Sequence, residues 1–227
     1  MRLPLLCFQG MNKSPSVKLR CLHRLFTLFA CLFLSHCGIP DITNQEVLEE
    51  AKAEAISLSS LDRKLMYGMI QLYVDQTDDP YTGWVKEEYS NETIKRLGYL
   101  EDGQKEGTWL SWHSNGQLES QINWHNDNYS GHFQVWYPHG QVKALGQTKE
   151  GEVDGKWVDF YQSGIQASES WSQVGLAVSA LVWTPDGQPC KKTDLKEGNG
   201  TVYQYEENGS VLKVTRFQNG IGTLLGP

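Results

Sequence analysis

The sequence predicts an all-β repeat fold: an elongated, twisted antiparallel sheet of stacked β-hairpins, with a short N-terminal helical cap. Three observations carry that expectation. The segment Gly107–Gly116 (GTWLSWHSNG) returns as Gly131–Gly140 (GHFQVWYPHG) and Gly155–Gly164 (GKWVDFYQSG), a period of 24 residues. Two turn signals recur inside each period, and apolar residues alternate with polar ones between them. A fixed period also means that most glycines and aromatic rings are architectural. The frame extends weakly upstream to Gly83 and downstream to Val178–Gly187 and Gly200–Gly209.

Residues 1–37 read as a lipoprotein-like signal peptide. Lys18, Arg20 and Arg24 precede the apolar run Leu25–Leu34, which is followed by Ser35, His36 and Cys37. A basic stretch before about ten apolar residues fits an export signal and is too short to span a bilayer. Met11 sets a more usual signal length than Met1. Cys37 is the expected lipid-attachment residue and Cys31 a second candidate. Ordinary secretion and a retained membrane-associated segment are the other readings of these residues. Lipidation would place the body in the cell envelope, on a membrane or in the periplasm. Beyond Cys37 the one cysteine is Cys190, so no intramolecular disulfide staples the body.

Residues 38–80 read as tether and helical cap. Thr43–Ile56 has good helix formers, with Thr43 and Glu46 set as a capping box and Val47, Leu48, Ala51, Ala55 and Ile56 on one face. So narrow an apolar stripe needs something to pack on. The expected partner is the open first edge of the sheet, which would otherwise invite aggregation. Leu61–Val74 is mixed: Leu65, Met66, Met69 and Ile70 recur at helical spacing, while Tyr73 and Val74 drift toward strand.

Residues 81–227 read as the repeat domain of about six hairpins. Asn115-Gly116, His139-Gly140, Ser163-Gly164, Asp186-Gly187 and Asn208-Gly209 predict tight turns, because Gly and Asn tolerate positive φ. Glu101–Gly107, His125–Gly131, Lys149–Gly155 and Lys196–Gly200 predict looser connections. A two-residue turn at Asn115-Gly116 sets Trp109 opposite Ile122 and His113 opposite Leu118. Trp109, Leu118, Ile122 and Trp124 then share one face, and Glu119, Gln121 and Asn123 the other. The third copy follows through Phe133, Val135, Tyr137, Val142 and Ala144. In the last copy Tyr203, Tyr205, Leu212 and Val214 fall on the opposite face, through either a longer turn or a different packing.

The G-x-W/F openings, the pairs Trp112-His113, Trp136-Tyr137 and Phe160-Tyr161, and the stretches Asn115–Leu118 and His139–Val142 resemble the MORN-repeat variant of the YwqK-like family. The entry Asp79–Val85 is similar too, and the resemblance runs from about Leu61 to Gly222. Glu92 stands where the first copy should have its turn glycine, and the fifth copy lacks the opening glycine and aromatic. The resemblance implies an elongated β-repeat scaffold, a protein partner and no catalytic residues. Members labelled as antitoxins make toxin neutralisation a second implied role.

Trp112, Trp136, Phe160, Trp183 and Tyr205 recur once per repeat and are the candidate partner-binding residues. They are either a stripe of exposed rings of the kind that dominates interfaces or rings stacked between hairpins. The histidines from His113 to His139 sit at different phases of the repeat, so they do not converge as metal ligands. Glu101, Asp102, Glu106, Asp127, Glu150, Glu152 and Asp154 read as turn-forming acids rather than an acid–base pair. Nucleophile-elbow, P-loop, zinc-protease and C-x-x-C patterns are all missing, and neither metal nor cofactor is expected. After Cys37 the chain holds 15 basic and 27 acidic residues, a net of −12. That balance argues against nucleic acid and against an anionic membrane as direct ligand. Membrane contact is expected only through the lipid anchor. The expected function is a non-enzymatic, protein-binding, envelope-anchored scaffold. The alternative is an antitoxin or immunity protein whose acidic sheet masks a basic toxin.

Overall fold

Two turns close each period, and their backbone angles reverse the expected assignment of tight and loose. The computed structural model describes residues 39–66 and 70–226. The connections expected to be looser are the tight ones. Asp102-Gly103, Asn126-Asp127, Glu150-Gly151, Val174-Gly175 and Asn219-Gly220 each hold two successive residues at positive φ. They join directly paired strand ends, as Glu101 with Gln104 and His125 with Asn128. Two positive φ values in a two-residue loop give the type I′ turn, whose twist matches that of the strands.

The Asn-Gly sites are longer. The Gly116 N–H donates to the His113 carbonyl and the His113 N–H to the Gln117 carbonyl, both at 2.8 Å, with Gly116 at φ +84°. The same two bonds close Tyr137–Gln141, Tyr161–Ile165, Thr184–Gln188 and Glu206–Ser210. They also close Tyr89–Thr93, where Glu92 takes φ +64° in place of glycine. The last copy therefore has an ordinary turn. There Val202 takes the place that Trp109 holds in the second copy, and the tyrosines line the other face.

Trp109 pairs with Ile122 as expected. A one-residue bulge at Glu119 then sets Trp112, not His113, opposite Leu118. A bulge reverses the faces of all residues beyond it. Leu118 accordingly lies on the face opposite Trp109, and Val142, paired with Trp136, lies opposite Phe133. The bulge recurs at Lys95, Lys143, Ala167 and Leu212.

The strands in chain order are β1 (Ile56–Ser57), β2 (Asp62–Met66), β3 (Ile70–Val74), β4 (Gly83–Glu88), β5 (Ile94–Glu101), β6 (Gln104–Trp112), β7 (Leu118–His125) and β8 (Asn128–Trp136), followed by β9 (Val142–Lys149), β10 (Glu152–Phe160), β11 (Gln166–Gln173), β12 (Leu176–Val182), β13 (Gly200–Tyr205), β14 (Val211–Gln218) and β15 (Ile221–Gly226). β1 and β4–β12 form one ten-stranded sheet in the order β1-β4-β5 through to β12. β4–β12 pair antiparallel in succession, while β1 runs parallel to β4. The ladder stops at Val182, where residues 183–199 bend across the edge of β12. Cys190 donates its N–H to Val182 and Gly198 to Val178. β13–β15 form a separate three-stranded sheet. Val202, Gln204, Thr215 and Phe217 share a cavity with Ser168, Ser170 and Ala180, so this sheet faces β11 and β12.

The cap differs from its expectation in two ways. The helix α1 spans Gln45–Glu54, and its N-cap is Asn44, whose Oδ1 accepts the Glu46 N–H at 2.9 Å. Thr43 instead donates to Asp41. Second, α1 packs on a face of the sheet: Ala51 and Ile42 are fully buried with Leu97, beside Ala55, Trp84 and Leu110. The edge of β4 is covered by β1, through Ile56 opposite Val85.

The segment read as mixed is a hairpin. β2 pairs antiparallel with β3, Arg63 opposite Tyr73, and Leu72 and Val74 are buried. Period-two burial overrides the helical spacing of Leu65 and Met66, because Tyr73 N–H donates to the Gly103 carbonyl at 2.8 Å. Met69 lies outside the described residues. A second core (Leu61, Val85, Leu100, Trp109) sits on the face away from α1.

Candidate functional site

Neighbouring repeats are tied together along both ends of the hairpins. At the long turns, the ring of the residue that opens each turn donates to the backbone one repeat on. Tyr89 Oη reaches the Trp112 carbonyl at 2.8 Å, His113 Nε2 that of Trp136 at 2.9 Å, Tyr137 Oη that of Phe160 at 2.9 Å, and Tyr161 Oη that of Trp183 at 2.8 Å. His113 thus stands in for tyrosine. At the tight turns, the residue before the opening glycine accepts the next turn's leading N–H. Thr82 takes it from Asp102, Glu106 from Asn126 and Asp154 from Val174. Asp127 accepts from Lys105 N–H in the same region.

Four of the candidate rings, Trp112, Trp136, Phe160 and Trp183, enter these bonds through their backbone carbonyls. Trp112, Trp136, Phe160, Trp183 and Tyr205 are all half-buried. Trp112 packs beside Leu97 and Leu110, across the sheet from Trp109. Phe160 and Tyr205 line one pocket with Tyr137 and Tyr161, although Trp183 lies beyond β12 and Tyr205 belongs to the three-stranded sheet. Cys37 and Cys31 lie outside the described residues. Among the described residues no His, Cys, Asp and Glu cluster is placed to hold a metal. No described helix is long and apolar enough to cross a membrane.

Cys190 has partners that the sequence does not suggest. Its Sγ is 3.1 Å from Tyr205 Oη, and Thr193 Oγ1 donates to it at 3.7 Å. Burial raises the thiol's pKa, but hydrogen bonds from Tyr205, Thr193 and nearby backbone outweigh it and leave it below the ordinary value. The same bond pushes Tyr205 up to about 12.

One feature of the folded chain had no signal in the repeat pattern. On the face away from α1, β5–β8 carry an open groove of about 340 Å³. Trp109, Trp124 and Tyr129 line one side, with Ile122 and Val135 in the floor; Lys95, Arg96 and Lys105 supply cations, and Glu119 the one lining carboxylate. The rings form a continuous series, with centroids 6.4 Å apart from Trp109 to Trp124, 4.4 Å from Trp124 to Tyr129 and 6.1 Å from Tyr129 to Phe133. Lys105 Nζ lies 4.0 Å from the Trp124 ring centroid and 5.0 Å from that of Trp109. Burial, helped by Arg96 and Arg63, depresses its pKa against the pull of Asp127 and Glu87. Glu87 serves two cations, Lys95 at 2.7 Å and Arg96 at 3.6 Å. These lining residues come from four strands and form no short motif in the chain.

No curated protein matches the chain. Residues 105–126, which hold most of β6, the long turn, β7 and the first residue of the next tight turn, match the MORN repeat variant. Turn bonds, bulge and ring-to-carbonyl link recur beyond that segment, at 24-residue spacing that shortens by one or two residues after Tyr161, so the chain is a repeat scaffold carrying a MORN repeat variant at residues 105–126.

Proposed function

We propose that the chain is a non-enzymatic, protein-binding repeat scaffold, tethered to the cell envelope by a lipid on Cys37. The observation that supports binding is the groove over β5–β8. It offers rings and cations to solvent, with Tyr129 37% exposed. The recurring polar groups are engaged elsewhere, in bonds between turns, and supply no convergent acid–base or nucleophilic set. The tether rests on the sequence of residues 18–37 alone. Fractionation of cells fed labelled palmitate tests it, comparing wild type with Cys37→Ser and Cys31→Ser. Loss of label and membrane retention in Cys37→Ser alone is the expected result. The net of −12 after Cys37 favours a second reading, an antitoxin for a basic partner. Under that reading the protein stays in the cytosol and neither substitution alters its distribution.

A further inference from the structure

We propose that the groove over β5–β8 is the docking site for an acidic segment of the partner protein, its carboxylates meeting Lys95, Arg96 and Lys105 and its apolar side chains lying on Trp124 and Tyr129. This rests on the scaffold reading and names the surface and the chemistry of the occupant.

Charge decides the class of occupant. The body carries a net of −12, yet Arg63, Lys95, Arg96 and Lys105 gather around this one groove. Their acidic neighbours are already committed. Glu87 is divided between Lys95 and Arg96, and Asp127 holds Arg63 at 3.1 Å. Glu119 accepts from Ser111 Oγ at 3.2 Å and has His113 Nδ1 at 3.9 Å. Among the described residues Lys105 makes no ion pair. It rests on two indoles, which compensate only part of the hydration it gives up. A carboxylate entering the groove supplies the missing counter-ion in a partly desolvated place, where a charge-assisted bond is strongest. A cationic segment would meet three ammonium or guanidinium groups and is rejected.

The apolar side follows from the ring series. Tyr129 is exposed and Trp124 half-buried, both beside Lys105, so apolar groups near the carboxylate bury ring surface already partly out of water. β2–β3 and the loop at Leu58–Leu61 cover this face on one side, and β13–β15 on the other. An extended peptide a few residues long fits the open stretch between them.

The test uses the full chain in non-ionic detergent and the fluorescent peptide acetyl-Glu-Phe-Glu-Leu-Glu-amide. Its all-glutamine counterpart and phosphatidylglycerol vesicles serve as competitors. Lys105→Met keeps the stem on the indoles, and the half-exposed pair Lys95→Gln/Arg96→Gln leaves the core residues unchanged. Each variant is expected to weaken the acidic peptide about tenfold, and the glutamine peptide to bind wild type about tenfold less tightly. Raising salt should weaken binding further. Equal affinity for the glutamine peptide, or no loss in either variant, overturns the proposal. So does displacement by the vesicles as effective as by unlabelled peptide, which would point to a membrane surface. Photo-crosslinking in cells, from Tyr129 and from Trp171 on the opposite face, separates this failure from that of the scaffold reading. An adduct from Trp171 alone refutes the groove and keeps the scaffold. No adduct from either position refutes both.

Discussion

The indole of Trp109 lies directly over Gly98 on the neighbouring strand. A Cβ built on Gly98 would sit 2.1 Å from Trp109 Cδ2, and the indole N–H donates to the Tyr99 carbonyl at 3.1 Å. Gly98 has ordinary backbone angles, so what it supplies is room. Trp157 lies over Gly146 in the same way, with a Cβ there 2.4 Å from the ring. Gly98→Ala must displace a buried ring at the edge of the groove, which costs about 3 kcal/mol, the upper end for overpacking. Urea denaturation should show that loss, and a variant as stable as wild type would refute the packing.

The ring-to-carbonyl links between repeats predict a graded series. Tyr137→Phe removes one hydrogen bond and leaves the Phe160 carbonyl without its donor, at a cost of about 1 kcal/mol. His113→Phe should cost about the same. His113→Tyr restores the group used at Tyr89, Tyr137 and Tyr161, and should change stability by less than about 0.5 kcal/mol. Thermal unfolding of the three variants checks the order.

Val174 is the β-branched member of the positive-φ set, at φ +41° in the tight turn before β12. A branched side chain is strained there, whereas asparagine is at home in that position of a type I′ turn. Its side chain is half exposed, so the exchange removes little packing. Val174→Asn should raise stability by about 0.5–1 kcal/mol. A lower melting temperature would show that the turn is not of this type.

Tyr161 predicts an alkaline limit to stability. Its hydroxyl donates to the Trp183 carbonyl at 2.8 Å, and burial, then the nearby Glu207 carboxylate, push its pKa up to about 12. An unfolded tyrosine loses its proton near pH 10. Between about pH 10 and 12 the unfolded chain therefore holds fewer protons than the folded one, and stability falls as pH rises. Below about pH 10 the contribution is complete. Tyr161→Phe should be less stable than wild type at neutral pH but lose stability less steeply above pH 10, as read by denaturant midpoints across that range. Tyr205, also raised to about 12, keeps part of the slope in the variant.

Much of the fold was legible because the repeat signals are local. The turn glycines, the pairing of Trp109 with Ile122, and a helical cap with Ala51 inward all follow from spacing along a few residues. What escaped depended on one-residue differences. Both Thr43 and Asn44 are good N-caps, and Asp41 settled the choice by engaging Thr43. The bulge at Glu119 carried Leu118 to the other face, and nothing in the pattern Gln117-Leu118-Glu119 marks it. At Leu61–Val74 the helical spacing was outweighed by pairing with Gly103, more than 25 residues away.

The period, the hairpin unit and the alternation that makes one layer of sheet are written locally in the chain. These depend on backbone preferences and side-chain alternation within a single repeat. Which turn is tight, where the ladder breaks after Val182, and which residues share a surface depend instead on pairing between strands. Lys95, Arg96, Lys105, Trp124 and Tyr129 meet because antiparallel pairing stacks residues from adjacent strands a few ångströms apart. That proximity is a property of register, and a single bulged residue per hairpin is enough to reset it.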